Sequence, residues 1–155
     1  MTSKKINPVT EEEMGSWPSE PLVNLQNPFV DKRGSIQPLV DLMMKSAVMI
    51  NSKAGSLRAN HYHKTDWHYC YVISGVIEYF HRDLGSQKEP ELIIVKKGNM
   101  IFTPPMVEHC MKFPEDTLFL TLSRNPRDQE TYEADVVRVN LVDPKGSISW
   151  NPNEK

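Results

Sequence analysis

The 155-residue chain has little cysteine, little glycine, no long apolar run and no excess of charge. Two cysteines, Cys70 and Cys110, make no disulfide framework, and both read as small buried hydrophobes rather than reactive thiols. No apolar stretch approaches the roughly 20 residues that a membrane-spanning helix needs. The opening MTSKKINPVTEEEMGSW carries two lysines with no apolar core behind them. It does not read as a secretory signal, so the cytoplasm is the expected compartment. Eighteen basic against twenty acidic residues give a net charge of −2. That balance argues against nucleic-acid and membrane-surface partners and leaves a small-molecule substrate. Neither a solenoid-length repeat nor a low-complexity tract is present.

The length suggests one domain, large enough to bury about two-thirds of its unfolded surface without staples. Helical patterning is scarce. Thr10 is a candidate N-cap for a single turn over TEEEM, and residues 125–133 hold another candidate turn. Short β-rich runs follow one another at 46–52, 56–63, 68–75, 76–83, 90–96, 99–105, 108–113, 117–123 and 134–142. Turn residues fill the gaps, Gly34 marks a turn after FVDKR, and the twelve prolines cluster at connections, with only Pro38 inside a candidate strand. Many strands without intervening helices point to an all-β sandwich or barrel. The expected layout is an N-terminal extension over 1–28, a barrel over 29–142, and an irregular, frayed tail over 143–155.

Three of the five histidines lie in GSLRANHYHKTDWHYCYVISG, residues 55–75. His61 and His63 are two apart, so on a strand they share a face. His68 follows KTDW, long enough for a turn, and opens the next strand. GNMIFTPPMVEHCMKF supplies His109 just after a Pro-Pro turn. A lone strand histidine is usually a surface residue or a satisfied core residue, but this clustering argues against that. Four imidazoles on adjacent strands facing a barrel interior would make a metal site suited to zinc, iron, copper, nickel or manganese. His81, beside Arg82 and Asp83 at a strand end, reads as solvent-facing.

The first of these stretches resembles the first cupin motif, G-x5-H-x-H-x4-E-x6-G, with Gly55, His61, His63 and Gly75 in place and His68 where the pattern has glutamate. The second resembles G-x5-P-x-G-x2-H-x3-N, through Gly98, Pro104 and His109, with Met106 standing for a glycine and Phe113 for the asparagine. The resemblance implies a cupin double-stranded β-helix with its ligands turned inward, and a divalent metal ion held by His61, His63, His68 and His109. Four neutral imidazoles would leave the ion's charge undiminished and its Lewis acidity high.

Within the cupins, RANHYHK (58–64), FVDKRGSI (29–36) and TPPMVEHCMKF (103–113) are similar to stretches of the RmlC-like dTDP-sugar 3,4-ketoisomerases and 3,5-epimerases. This narrower resemblance implies several roles. Arg58 would contact a nucleotide diphosphate. His61 and His63 would transfer protons beside the sugar. Asp31, Arg33 and Gly34 would shape the N-terminal part of the site. It also implies a homodimer and a place in polysaccharide biosynthesis. Asp31 and Arg33 read more readily as a turn held by its own ion pair, whereas Arg58 reads equally as a surface salt bridge. Tyr62 and Tyr71 alternate with histidines and should face away. Tyr79, whose face the pattern does not fix, is kept as a candidate substrate contact. In the ketoisomerases the position of His68 is usually glutamine and no metal is required, so ligand and acid–base roles for the histidines both stay open. A metal-dependent oxygenase or lyase and a non-catalytic binding cupin are the alternative functions.

Overall fold

The computed structural model describes residues 6–151; residues 1–5 of the extension and 152–155 of the tail lie outside them. The expected all-β chain is present. After α1 (Glu11–Gly15) come a hairpin of β1 (Phe29–Asp31) and β2 (Gly34–Ile36), then β3 (Ser46–Ser52), β4 (Leu57–His63), β5 (His68–Ser74) and β6 (Val76–Asp83). They are followed by β7 (Glu91–Lys96), β8 (Met100–Thr103), β9 (Val107–Lys112), β10 (Thr117–Ser123), α2 (Gln129–Asp135) and β11 (Val136–Arg138). Two antiparallel sheets, ordered β3-β10-β5-β8 and β11-β4-β9-β6-β7, form the barrel walls. Expected and observed bounds coincide for β3, β6 and β10. The run over 134–142 shrinks to three strand residues, because α2 continues to Asp135 and the chain leaves the sheet after Arg138. Pro38 lies in the loop after β2, not in a strand.

The barrel interior is divided along its length. Inward positions of β5 run from His68 through Cys70 to Val72, and those of β10 opposite them from Ser123 through Thr121 to Phe119. Polar side chains thus give way to an apolar plug of Val72, Ile77, Val95, Ile101, Phe113 and Phe119. Apolar burial of this kind, about 25 cal/mol per Å2, stabilises one end and leaves the other free to be a cavity.

The segments outside the barrel are tied to it. Thr10 caps α1 through a reciprocal bond with Glu13: Glu13 N donates to Thr10 Oγ1 at 3.1 Å and Thr10 N to Glu13 Oε2 at 2.8 Å. Trp17, Val23 and Leu25 cover the outer face formed by Trp67, Tyr69, Met100 and Phe102. Backbone bonds from Val23 N to Met100 O (2.9 Å) and from Phe102 N to Pro21 O (2.7 Å) cover the free edge of β8. The tail is irregular but not frayed through Asn151: Leu57 N donates to Ile148 O and Ile148 N to Gly55 O, both at 2.9 Å.

Candidate functional site

The turn from β4 to β5 and the β8–β9 turn deliver the histidines to one end of the barrel. Ala59 and Asn60 adopt left-handed φ of 67° and 63°, and the β4–β9 register shifts between Ala59 and His61. This bulge, which the sequence did not announce, is held by the Asn60 side chain. Its Oδ1 accepts from Leu141 N (3.1 Å) and Val142 N (3.0 Å), and its Nδ2 donates to Val142 O (2.8 Å). Beyond it His61 and His63 point inward, and His61 lies directly opposite His109.

All four rings are buried and gathered. Centroids are 4.7 Å apart for His61–His63 and His61–His109, 5.5 Å for His63–His68, 5.6 Å for His68–His109 and 5.7 Å for His63–His109. Their possible donor atoms fall into two compact sets, each within 4.8 Å: His61 with His63 and His109, and His63 with Asp66 and His68.

Two rings are held from behind, and a third faces a carboxylate. His109 Nδ1 donates to Val107 O at 3.0 Å, His68 Nδ1 faces Asp66 Oδ2 at 3.3 Å, and His63 Nδ1 lies 3.5 Å from Asp135 Oδ2 without a hydrogen bond. An anchored Nδ1–H leaves Nε2 as the bare lone pair, the arrangement that orients imidazoles toward metals. Burial, reinforced by the neighbouring imidazoles, holds His61 and His109 far below the ordinary histidine range. Burial also lowers His68, against the pull of Asp66. All three are therefore neutral at pH 7, as ligands must be. Asp135 is held down at about 2: burial alone would raise it, but the nearby His63 ring and the bonds from Thr65 and the Asp66 amide outweigh burial. The donor set fits a divalent ion.

The histidines floor a cavity of about 680 Å3. Arg58 lines it, with Nε donating to Ser52 Oγ at 2.7 Å and Nη2 to the Asn51 carbonyl at 2.9 Å. Arg127, Tyr132, Arg138 and Trp150 line it as well. None of these four was singled out in the sequence, where α2 and the tail offer no periodic signal. Tyr132 packs edge-on against His61 and His63, with centroids 6.2 and 5.6 Å away.

Three placements differ from expectation. Arg33 does not join the site. Its side chain is 78% exposed and holds Asp31 within the β1–β2 turn, which the D-x-R-G spacing favours. Tyr79 is fully buried beneath the floor rather than in the cavity; its hydroxyl meets Thr103 Oγ1 at 2.8 Å, and its ring stacks between His81 and His109. His81 is largely covered, not solvent-facing, because it shares Tyr79's inward parity on β6 and lies opposite His109.

No family model and no curated protein matches the sequence. Solved structures do. The chain is similar to the 3,4-ketoisomerase QdtA from Thermoanaerobacterium thermosaccharolyticum, a double mutant in complex with TDP. The TM-score is 0.62 and identity 22%, over 76% of this chain and 85% of that one. It is similar to dTDP-4-dehydrorhamnose 3,5-epimerase from Sulfolobus tokodaii at TM-score 0.65 and 18% identity, over 84% of this chain and 91% of that one. It is also similar to the capsular polysaccharide assembling protein CapF from Staphylococcus aureus at TM-score 0.56 and 21% identity, over 78% of this chain and 32% of that one. With the two sheets and inward histidines above, these likenesses make the fold a cupin double-stranded β-helix.

Proposed function

We propose that the chain is a metal-binding isomerase or epimerase that moves a proton beside the carbonyl of a nucleotide-linked keto-deoxysugar, in polysaccharide biosynthesis. The observation that carries this reading is the convergence of four buried imidazoles at the base of an open, arginine-edged cavity. The fold is shared with a ketoisomerase and an epimerase of such sugars, and QdtA has been crystallised with TDP-4-keto-6-deoxyglucose.

A ketone acidifies the adjacent C–H, and a neutral imidazole beside it can take that proton and return it elsewhere or to the opposite face. His61, His63 and His109, the compact set without a carboxylate, would hold a divalent ion; bound there, it supplies Lewis-acid polarisation of a substrate oxygen. His68 is then the imidazole left to accept the proton at Nε2, with Asp66 fixing its tautomer through Nδ1. Arg58, its guanidinium steadied by Ser52 and Asn51, would bind the diphosphate. The proposal includes a homodimer and the cytoplasm as its compartment. In support of the dimer, Phe29, Val30 and Ile36 of the hairpin are 60%, 68% and 64% exposed, apolar surface that a second copy would cover. Sedimentation at the mass of one chain would remove the dimer.

The test is incubation of untagged protein with TDP-4-keto-6-deoxyglucose in deuterated water. Deuterium at C3 or C5, lost on chelation and restored by a divalent ion, is the expected result. Exchange indifferent to chelation removes the ion and returns proton transfer to His61 and His63. No exchange under any metal condition ends the sugar reading.

A further inference from the structure

The arginines of this chain are nearly all engaged. Arg33 pairs with Asp31, Arg82 with Glu108, Arg124 with Glu13 and Arg138 with Glu133. Arg58 is steadied by Ser52 and the Asn51 carbonyl and, on the reading above, is committed to the diphosphate. Arg127 is different: it lines the cavity and has no ion-pair partner among the described residues. Its guanidinium carbon sits 3.8 Å from the centre of the Tyr132 ring. One face rests on the aromatic surface, while the N–H donors at its edge stay available.

The place of that charge is fixed. Tyr132 is packed against His61 and His63, so the platform beneath Arg127 is part of the histidine cluster's wall. Asp128 caps α2 immediately after Arg127, its Oδ2 accepting from Thr131 N at 3.1 Å and Thr131 Oγ1 at 2.8 Å. Arg127 also borders a small recess shared with His63, Asp66 and Asp135. Packing alone does not account for it, since an uncharged side chain of equal length would cover Tyr132 as well.

We propose that Arg127 holds an anionic oxygen of the ligand, a carboxylate, phosphate or enolate, against the histidine cluster. In the reaction proposed above that oxygen is the sugar's former carbonyl oxygen, on which charge develops as the proton leaves; to that extent the inference rests on that reading. An unneutralised planar donor at the reacting end of the cavity is the group such an oxygen needs.

The test compares the full chain, Arg127→Met and Arg127→Lys. Acetate and inorganic phosphate are titrated into each while the histidine ring signals are followed by NMR, and deuterium exchange into TDP-4-keto-6-deoxyglucose is measured alongside. All three chains should melt together. Saturable shifts of the histidine signals, with a dissociation constant at least tenfold weaker in Arg127→Met and intermediate in Arg127→Lys, support the inference. A preference for acetate or for phosphate identifies the source of the oxygen. A tenfold or greater fall in exchange rate in Arg127→Met at unchanged KM supports it for the enolate. Equal anion affinities together with equal exchange rates in wild type and Arg127→Met overturn it. Absence of exchange in the wild type defeats the sugar reading alone, and the anion titration then decides for or against Arg127.

Discussion

Two segments build the floor of the cavity, and they hold their histidines differently. Residues 55–75 supply three, and the rings of His63 and His68 are backed by the carboxylates of Asp135 and Asp66. Residues 98–113 supply one, and His109 is backed by a main-chain carbonyl, Val107 O. The first segment is therefore anchored by charge and by residues far away in the chain: Asp135 also accepts from Thr65 N, Thr65 Oγ1 and Asp66 N, which clamps the β4–β5 turn. The second is anchored by its own backbone. A charged anchor can be titrated or mutated away, whereas a backbone anchor persists through both. The two segments should fail under different insults.

The largest effect tests the division of labour at the floor. His109→Asn should abolish metal retention and lower proton exchange by roughly 10²- to 10⁴-fold. His68→Asn should cost a similar factor in exchange yet keep the ion, because His68 stands in the set with Asp66 rather than with His61 and His109. Elemental analysis of both purified variants decides the point. Loss of the ion from His68→Asn would make all four imidazoles ligands and erase the distinction.

Next comes the glycine that closes the first segment. Gly75 has φ of +90°, and an added Cβ would meet Thr117 Oγ1 at 2.4 Å, Asp116 O at 2.5 Å and Thr117 Cα at 2.7 Å. Two of those atoms are backbone and cannot swing aside. Gly75→Ala should cost about 3 kcal/mol, the sum of overpacking and left-handed strain, measured by urea denaturation. A loss below about 1 kcal/mol would mean that the β5–β6 turn moves freely and that the first segment is less constrained than its contacts imply.

Asp135→Asn probes the charged anchor itself. Losing the carboxylate behind His63 should weaken metal binding by roughly 10- to 100-fold. Acid should act in two stages. His61, His68 and His109 are held below their ordinary value of 6.5, so the unfolded chain takes up protons that the native one refuses, and stability starts to fall as pH drops below that value. Asp135 sits at about 2 against an ordinary 3.8, so its contribution is whole above about pH 4 and drains away as pH falls toward 2. The second stage should be missing from Asp135→Asn. Identical acid transitions in variant and wild type would show that the carboxylate does not brace the first segment.

The same contrast marks how far the sequence could be read. Strand spacing and turn residues gave the barrel, because each strand must alternate and each turn needs its punctuation. The histidines could be placed because parity and motif spacing are local. Asp135 could not, since it reaches His63 only through the fold, 72 positions along the chain. Arg127 fell in the candidate helical turn over 125–133, and nothing local says that Tyr132 will carry it to the cavity. Asp66 was nearer to hand: a carboxylate in KTDW, between two histidines, is a legible second anchor. Tyr79 and His81 share parity with buried Ile77 on β6. That signal would have turned both inward.

The smallest effect is a gain. Met106 occupies the position where the second cupin motif has glycine, and it adopts φ of 64°, the left-handed region that glycine enters without strain. An L side chain there costs on the order of 1–2 kcal/mol, part of which is returned by restricting the unfolded chain. Met106 is 46% exposed, so its side chain has little packing to lose. The turn is held by backbone instead, Met106 N donating to His63 O at 2.8 Å. Met106→Gly should therefore raise stability by about 0.5–1 kcal/mol, seen as a higher urea midpoint at unchanged slope, with His109 and the ion undisturbed. A lower midpoint would show that the Met106 side chain steadies the second segment, and that this segment does not rest on its backbone alone.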